Sequence, residues 1–134
     1  MIAIDTSLVV ALFASWHEGH DAARKALAGE VHLPAHVAME SYSVLTRLPP
    51  PHRAPADAVV SFLRNRFPSP LLTLPGRGHA SLLELVLREG IIGGGIYDAL
   101  VAATALHAGA ELLTRDRRAA RTYEAVGVAY RLVG

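Results

Sequence analysis

The hydrophobic positions of the chain fall into short apolar runs separated by longer segments of helical composition. The apolar runs predict buried strands over residues 2–4, 31–33, 71–74, 112–113 and 128–131. Between them the pattern predicts helices over residues 6–13, 17–28, 35–48, 56–67, 79–88, 97–107 and 117–126. Short apolar strands that alternate with helices are typical of a parallel sheet covered by helices on both faces. The pattern therefore predicts an α/β fold.

The segment over residues 96–116 carries the strongest signal in the chain. Its first half is rich in Ala and Leu and almost free of polar residues, which predicts a helix covered on most of its surface. Gly109 is placed to end this helix, and residues 112–113 then form a buried strand. Asp98 lies in the first turn of the helix, and Asp116 follows the strand directly. Two carboxylates therefore flank one helix-and-strand unit.

Three acidic residues are expected at the carboxyl rim of the sheet, where parallel α/β sheets bind their ligands. Asp5 ends the first strand, Glu40 lies on the helix after the second strand, and Asp116 follows the fourth strand. On topology alone Asp98 begins at the opposite rim, because its helix leads into the fourth strand. The three glycines at 93–95 allow that helix to lie across the sheet, with its first turn near the carboxyl rim.

Composition narrows the class of protein. The length of 134 residues predicts one domain over residues 1–134, and the absence of cysteine excludes disulfides and thiolate zinc sites. A net charge of +1 gives no overall basic field that would indicate nucleic-acid binding. Asp5 interrupts the apolar N-terminus, which is too short for a membrane span. We expect a soluble, cytoplasmic protein without a membrane segment.

Each acid alone has an ordinary structural explanation, because a first-turn carboxylate favours the helix dipole and one after a strand often caps the next helix. The combination indicates more, since Asp5 and Asp98 lie within apolar sequence and no lysine is near them. Two carboxylates about 4 Å apart repel each other by roughly 4 kcal/mol at an effective dielectric constant of 20. Gathered carboxylates therefore need a cation or shared protons. Oxygen ligands without cysteine favour Mg²⁺ or Mn²⁺ over Zn²⁺.

The acidic positions lie in four recognisable sequence contexts: Ile4-Asp5-Thr6-Ser7, a helical Glu40, Tyr97-Asp98-Ala99 and Leu113-Thr114-Arg115-Asp116. Over essentially the whole chain this pattern resembles the PIN-domain ribonucleases, specifically the VapC-type toxins of type II toxin–antitoxin systems. The resemblance implies a three-layer α/β/α fold whose central five-stranded parallel sheet has the strand order 3-2-1-4-5. It also implies that all four acids meet at one rim around one or two divalent ions.

The resemblance implies a Mg²⁺- or Mn²⁺-dependent endoribonuclease that hydrolyses RNA phosphodiester bonds. The catalytic acids would be Asp5, Glu40, Asp98 and Asp116, and the three aspartates would be the principal metal ligands. Glu40 would either bind metal directly or orient the attacking water. A supporting hydroxyl is matched by Thr114 before the last acid, and by Thr6 or Ser7 after the first.

Three arginines flank the last acid: Arg115, Arg117 and Arg118. They either hold RNA phosphates or form a solvated helix start. The chain could instead be a non-catalytic PIN scaffold that acts as a protein- or RNA-binding module. A receiver domain is disfavoured because no acid adjoins Asp5 and no lysine lies near the last strand. A dehalogenase-type phosphatase is disfavoured because that class needs a second acid two residues after the first, where this chain has Ser7. His17 and His20 indicate a surface helix rather than a zinc site.

The resemblance also implies a partner, a small cognate VapB-like antitoxin. We expect its helix in an apolar groove formed by residues 8–13 and by the helix over 35–48, with Met39, Tyr42 and Leu45 on one face. An antitoxin Arg or Lys would then enter the acidic pocket. The same side chains could simply be core residues. We also expect a homodimer. Trp16, together with the apolar residues Leu12 and Phe13, forms either a self-association patch or part of the core.

Overall fold

The computed structural model describes residues 1–134, which form three strands and seven helices. The strands are β1 Ile2–Ile4, β2 Glu111–Thr114 and β3 Tyr130–Leu132. The helices are α1 Thr6–Phe13, α2 His20–Ala26, α3 Ala35–Thr46, α4 Ala56–Arg66, α5 Gly76–Glu89, α6 Gly95–His107 and α7 Ala120–Val126. This is an α/β architecture, as the hydrophobic pattern predicted.

The sheet places the ends of β1 and β2 side by side. Its strands are parallel in the order β1-β2-β3, and Ile4 pairs with Leu113. The amide of Asp5 donates to the carbonyl of Leu113 at 3.3 Å, so the pairing extends one residue beyond β1. Because both strands run in the same direction, Asp5 and Thr114 leave the sheet as neighbours at its carboxyl edge.

The regular sheet has three strands, so the two strands predicted over residues 31–33 and 71–74 are not confirmed as regular strands. Each segment makes only a single parallel bridge, Ala3 with His32 and Pro34 with Leu72. The physical reason is proline. Pro34 has no amide hydrogen to donate, and Pro70 and Pro75 lie close on either side of Leu72, so no ladder can continue there.

Four helices begin at positions other than those predicted, and the sixth differs least, since it begins at Gly95 rather than at residue 97. The second begins at His20 because Gly19 turns the chain before it, and its amide donates to Nδ1 of His17 at 2.9 Å. The fifth begins earlier, at Gly76, directly after a proline that suits a helix start. The seventh begins later, at Ala120, because the side chain of Asp116 accepts the amide of Arg118 at 3.0 Å and forms a turn first.

The hydrophobic core fixes the orientation of α6. Ala99, Val101, Ala102 and Ala105 of this helix are each at most 3% exposed, so most of its surface is covered as predicted. The helix ends at Gly109, which adopts φ 71°, a left-handed conformation that favours glycine. No helix in the structure combines the length and the apolar character needed to cross a membrane.

Candidate active site at the carboxyl edge of the sheet

Asp5 is buried at the end of β1 and is held by three side-chain hydroxyls. It is 5% exposed. Its Oδ1 accepts a hydrogen bond from Ser7 at 2.5 Å, and its Oδ2 accepts one from Tyr123 at 2.8 Å and another from Thr114. Burial raises the pKa of Asp5 above its usual 3.8, although these three hydrogen bonds act in the opposite direction. The carboxyl group is thus fixed in orientation and costly to ionise.

Thr114 connects two of the acids. Its side chain is fully buried at the end of β2, and its hydroxyl donates to Asp5. The same oxygen accepts the amide hydrogen of Asp116 at 2.9 Å. A hydroxyl can donate and accept at once, so this one residue sets the position of Asp116 relative to Asp5. Thr114 therefore contacts two of the predicted acids, and its supporting role in catalysis stays a prediction.

The two hydroxyls after the first acid serve different carboxylates. Thr6 Oγ1 donates to Oε1 of Glu40, which lies on α3 and is partly exposed. Ser7 instead donates to Asp5 and accepts the amide of Arg115 at 2.8 Å. The sequence left Thr6 and Ser7 as alternatives for one supporting position, and the structure uses both. Glu40 is consequently tied to the start of α1, beside Asp5.

Asp98 lies in the first turn of α6, and its ionisation reflects the other three acids. The pKa of Asp98 is raised from 3.8 to about 6, first by burial and then by the negative charges of Asp116, Glu40 and Asp5. The positive charge of Arg118 lowers it again. Charges act on a pKa in this way only at short range, so the structure brings the four predicted acids together.

The site suits a divalent cation by its donor chemistry. Its carboxylate oxygens are the ligands that Mg²⁺ and Mn²⁺ prefer. Burial raises the pKa of Asp98 most, and the negative charges of the other three acids, which a cation would neutralise, raise it further. The only salt bridge to an arginine in the group joins Arg118 to Asp116 at 3.6 Å, and the Arg118 side chain is 95% exposed. No three His, Asp or Glu side chains converge tightly enough in this structure to form a metal-binding group.

The three arginines around the last acid lie in different surroundings. Arg117 and Arg118 are exposed. The guanidinium of Arg115 packs against Gly19, where an added Cβ would come within 1.3 Å of Nη1, and that nitrogen is buried without a hydrogen-bond partner. Arg117 and Arg118 can therefore reach a ligand in solvent, whereas Arg115 ties the end of β2 to the turn before α2.

Two residues near the acids were missed by the sequence reasoning. Tyr123 is 118 positions from Asp5 and carried no local signal, yet it is 1% exposed and hydrogen-bonded to that acid. His36 lies four residues before Glu40, with Nε2 3.9 Å from Oε2, and its ring stacks on Tyr97. The helical spacing of His36 and Glu40 was the only signal that could have found either contact.

The apolar groove lies elsewhere than predicted. Most of α1 is core, as Leu8, Val9 and Ala11 have no exposed surface, and Leu45 of α3 is also fully buried. These residues cannot line a docking groove, because helix packing covers them. The remaining predicted pair, Met39 and Tyr42, is 64% and 41% exposed. They line a groove of about 710 Å³ with residues of α4 and the segment after it: Val60, Leu63, Arg64, Phe67, Pro68, Ser69, Pro70 and Leu71.

The predicted self-association patch is mostly core. Leu12 is 8% exposed, and Phe13 packs edge to face on Phe62 at 5.1 Å. Only Trp16 is exposed, at 50%, and its ring stacks on His52 with centroids 3.9 Å apart.

Comparison with known proteins agrees with this geometry. The chain is 53% identical over 133 residues to Ribonuclease VapC40 of Mycobacterium tuberculosis, covering 99% of both chains. The crystal structure of Mycobacterium tuberculosis VapC20, a Sarcin-Ricin loop cleaving toxin, matches with a TM-score of 0.72 at 21% identity, over 90% of this chain and 94% of that one. VapBC2 from Rickettsia felis, bound to a DNA fragment from their promoter, matches with a TM-score of 0.69 at 15% identity over 98% of each chain. Residues 2–125 match the PIN domain, and the chain belongs to the PIN-domain family, as its acidic motifs predicted.

Proposed function

We propose that this protein is a VapC-type toxin, an endoribonuclease that hydrolyses RNA phosphodiester bonds with Mg²⁺ or Mn²⁺. The observation that carries the proposal is the gathering of three other carboxylates around Asp98, whose pKa is raised to about 6 first by burial and then by their negative charges. Such a cluster is costly for the fold and is typical of a site that binds a cation. The 53% identity to a VapC ribonuclease over nearly the whole chain supports the same activity.

Asp5, Asp98 and Asp116 would hold the metal, with their carboxylate oxygens as ligands. A divalent ion bound there would lower the pKa of a water molecule and neutralise charge developing on the phosphate. Asp5 contributes a preset orientation, because Ser7, Thr114 and Tyr123 hold its carboxyl group before any ligand binds.

Glu40 would orient the attacking water. The hydroxyl of Thr6 occupies Oε1, so Oε2 remains available to accept a proton from that water. The partial exposure of Glu40 gives a water molecule access to it. Arg117 and Arg118 would contact RNA phosphates, since both are exposed beside the acids, while Arg115 is held against Gly19.

The proposal includes a VapB-like antitoxin and a homodimeric toxin acting in the cytoplasm. An antitoxin helix would occupy the groove that contains Met39 and Tyr42, because both side chains are exposed and apolar or aromatic. A cationic antitoxin side chain beside the four acids would block them. The proposal further extends the sheet to the five-strand order 3-2-1-4-5. The segment at His32 would lie beside β1, and the segment at Leu72 would form the outer edge beyond it.

Induction in cells followed by sequencing of RNA 5′ ends tests the activity and identifies the target. We expect new 5′ ends with the wild-type protein and none with Asp98→Asn. Glu84→Gln is the matched control, because it removes a carboxylate from an exposed position of α5 that makes no salt bridge. Full cleavage by the Asp98→Asn protein would overturn the assignment. RNA binding without any cleavage by the wild type would indicate a non-catalytic scaffold instead.

Expression together with the small open reading frame expected immediately upstream tests the partner. A stable complex should form and should be inactive toward RNA until the partner is removed. Replacing Met39 by Asp should weaken that complex, because a charge would enter the apolar groove. If the protein is harmless alone and binds nothing encoded beside it, the toxin assignment fails even though the fold is right.

A further inference from the structure

An aromatic pair stands at the edge of the acidic cluster and joins its two helices. The rings of His36 on α3 and Tyr97 on α6 stack with centroids 5.1 Å apart and planes only 2° from parallel. His36 lies one helical turn before Glu40, and Tyr97 directly precedes Asp98. Each ring therefore neighbours one of the proposed active-site acids.

The Tyr97 side chain remains widely open to solvent although it stacks on His36. Tyr97 is 52% exposed, and centroids 5.1 Å apart in nearly parallel planes describe an offset stack that covers only part of the ring. A tyrosine that served only to pack α3 against α6 would bury most of its ring, as Tyr123 does at 1% exposed. The parallel stack instead holds the Tyr97 ring in one plane while about half of the residue stays exposed.

We propose that Tyr97, held in place by His36, is a stacking platform for one unpaired base of single-stranded RNA next to the scissile phosphate. Every base has a π face, so an open aromatic ring accepts bases without strict sequence selection. A nucleotide whose phosphate lies among the acids and near Arg118 would have its base within reach of the ring beside Asp98. This inference rests on the proposed ribonuclease function and adds a substrate class to it, namely RNA with an unstacked base.

The platform predicts an affinity loss that depends on one base. In a cleavage-blocked Asp116→Asn background with Mg²⁺ present, a fluorescein-labelled short single-stranded RNA serves as the probe. Replacing Tyr97 by Leu should weaken binding by about tenfold, the usual effect of losing one stacked base, whereas Tyr97→Phe should stay within about twofold. Trp16→Leu is the matched control, since Trp16 is equally exposed and also stacks on a histidine, but at the far end of α1 from Asp5.

A series of RNAs with one abasic site at each position separates stacking from a structural role. With Tyr97 intact, one abasic position should lose about tenfold in affinity, and on that RNA the Tyr97→Leu variant should bind no worse than its parent. This coupling cannot arise if the substitution merely loosens α6. The abasic series on the parent protein is informative even if the Leu variant is unstable.

Two results would overturn the platform. One is equal affinity of the parent and Tyr97→Leu proteins for the intact RNA. The other is a Tyr97→Leu loss that is the same on every abasic RNA. If wild-type protein still cleaves RNA and Asp98→Asn does not, either result removes the platform and leaves the ribonuclease function standing. If the protein neither binds nor cleaves RNA with Mg²⁺, both proposals fail together.

Discussion

Replacing Asp98 by Asn should stabilise the protein at neutral pH in the absence of divalent metal. The substitution keeps the size of the side chain and removes one negative charge from a group of four. A pKa raised from 3.8 to about 6 corresponds to a cost of at most about 3 kcal/mol for ionising Asp98 in the folded state. Because the side chain is only half-buried, solvent screening reduces this, and we expect a gain of about 1 to 1.5 kcal/mol.

The gain should depend on pH with a defined sign. The folded state binds the Asp98 proton more tightly than the unfolded state, because the folded pKa of about 6 exceeds 3.8. The wild-type carboxyl group therefore costs nothing below about pH 4, and the cost develops as the pH rises through about 6. Urea unfolding in EDTA should show Asp98→Asn more stable at about pH 7.5 and equal to wild type at about pH 4.

Metal should reverse the order of stability. A cation that binds only the folded state at 100 times its Kd stabilises it by about 2.7 kcal/mol, and the variant should lose most of that gain. Glu84→Gln serves as the control and should change neither the stability nor its pH dependence, since Glu84 is exposed and unpaired. The reasoning is refuted if Asp98→Asn is less stable than wild type at neutral pH in EDTA, or if the difference persists unchanged at low pH.

Three further outcomes follow from the same site. Mg²⁺ or Mn²⁺ should support RNA cleavage and raise the melting temperature of the protein. EDTA should abolish cleavage, and Zn²⁺ should substitute poorly. Undiminished cleavage in verified metal-free buffer would contradict the metal dependence. Tyr123→Phe removes a buried hydrogen bond to Asp5, so it should lower the free energy of unfolding by about 1.5 to 3 kcal/mol. It should also weaken Mn²⁺ binding about tenfold, as measured by calorimetry. Unchanged Mn²⁺ affinity would exclude a role of Tyr123 toward the metal. Replacing Arg117 or Arg118 by Ala should reduce the slope of the logarithm of the RNA-binding constant against the logarithm of the salt concentration by up to about 0.7. Unchanged slopes would assign both arginines to a solvated helix start.

The acidic site could be predicted because its chemistry is tied to the ends of secondary-structure elements. Asp5 directly follows an apolar strand, and Asp116 lies two residues after the next strand in the sheet, so parallel pairing brings both to the same edge. Asp98 was the uncertain member, since its helix enters β2 from the opposite side. Burial raises the pKa of Asp98 most, and the charges of the other three acids raise it further, so Asp98 lies near them. The family resemblance implied this proximity, and topology alone did not.

The parts that could not be predicted depend on single long-range contacts. Nothing near Tyr123 in the sequence distinguishes it from an ordinary core residue, and its hydrogen bond to Asp5 requires α7 to be in place. Arg115 looked like its two neighbours, but glycine at position 19 leaves room for its guanidinium, which a side chain there would displace. Strand continuity failed for a local reason, because prolines around Leu33 and Leu72 remove the donors that a ladder needs.

These contacts divide the site into a fixed part and an adjustable part. Asp5 and Asp116 share the hydroxyl of Thr114, which is fully buried, so their relative position is set by the sheet itself. Glu40 and Asp98 extend from α3 and α6 and are only partly buried. The side chain of Glu40 is longer than that of an aspartate and accepts one side-chain hydrogen bond, from Thr6. The carboxylates do not converge as a metal-binding group in this structure, and the two helical side chains can move most easily. Cation binding should therefore draw Glu40 and Asp98 toward a preset Asp5, and the cost of ionising Asp98 should fall as it does so.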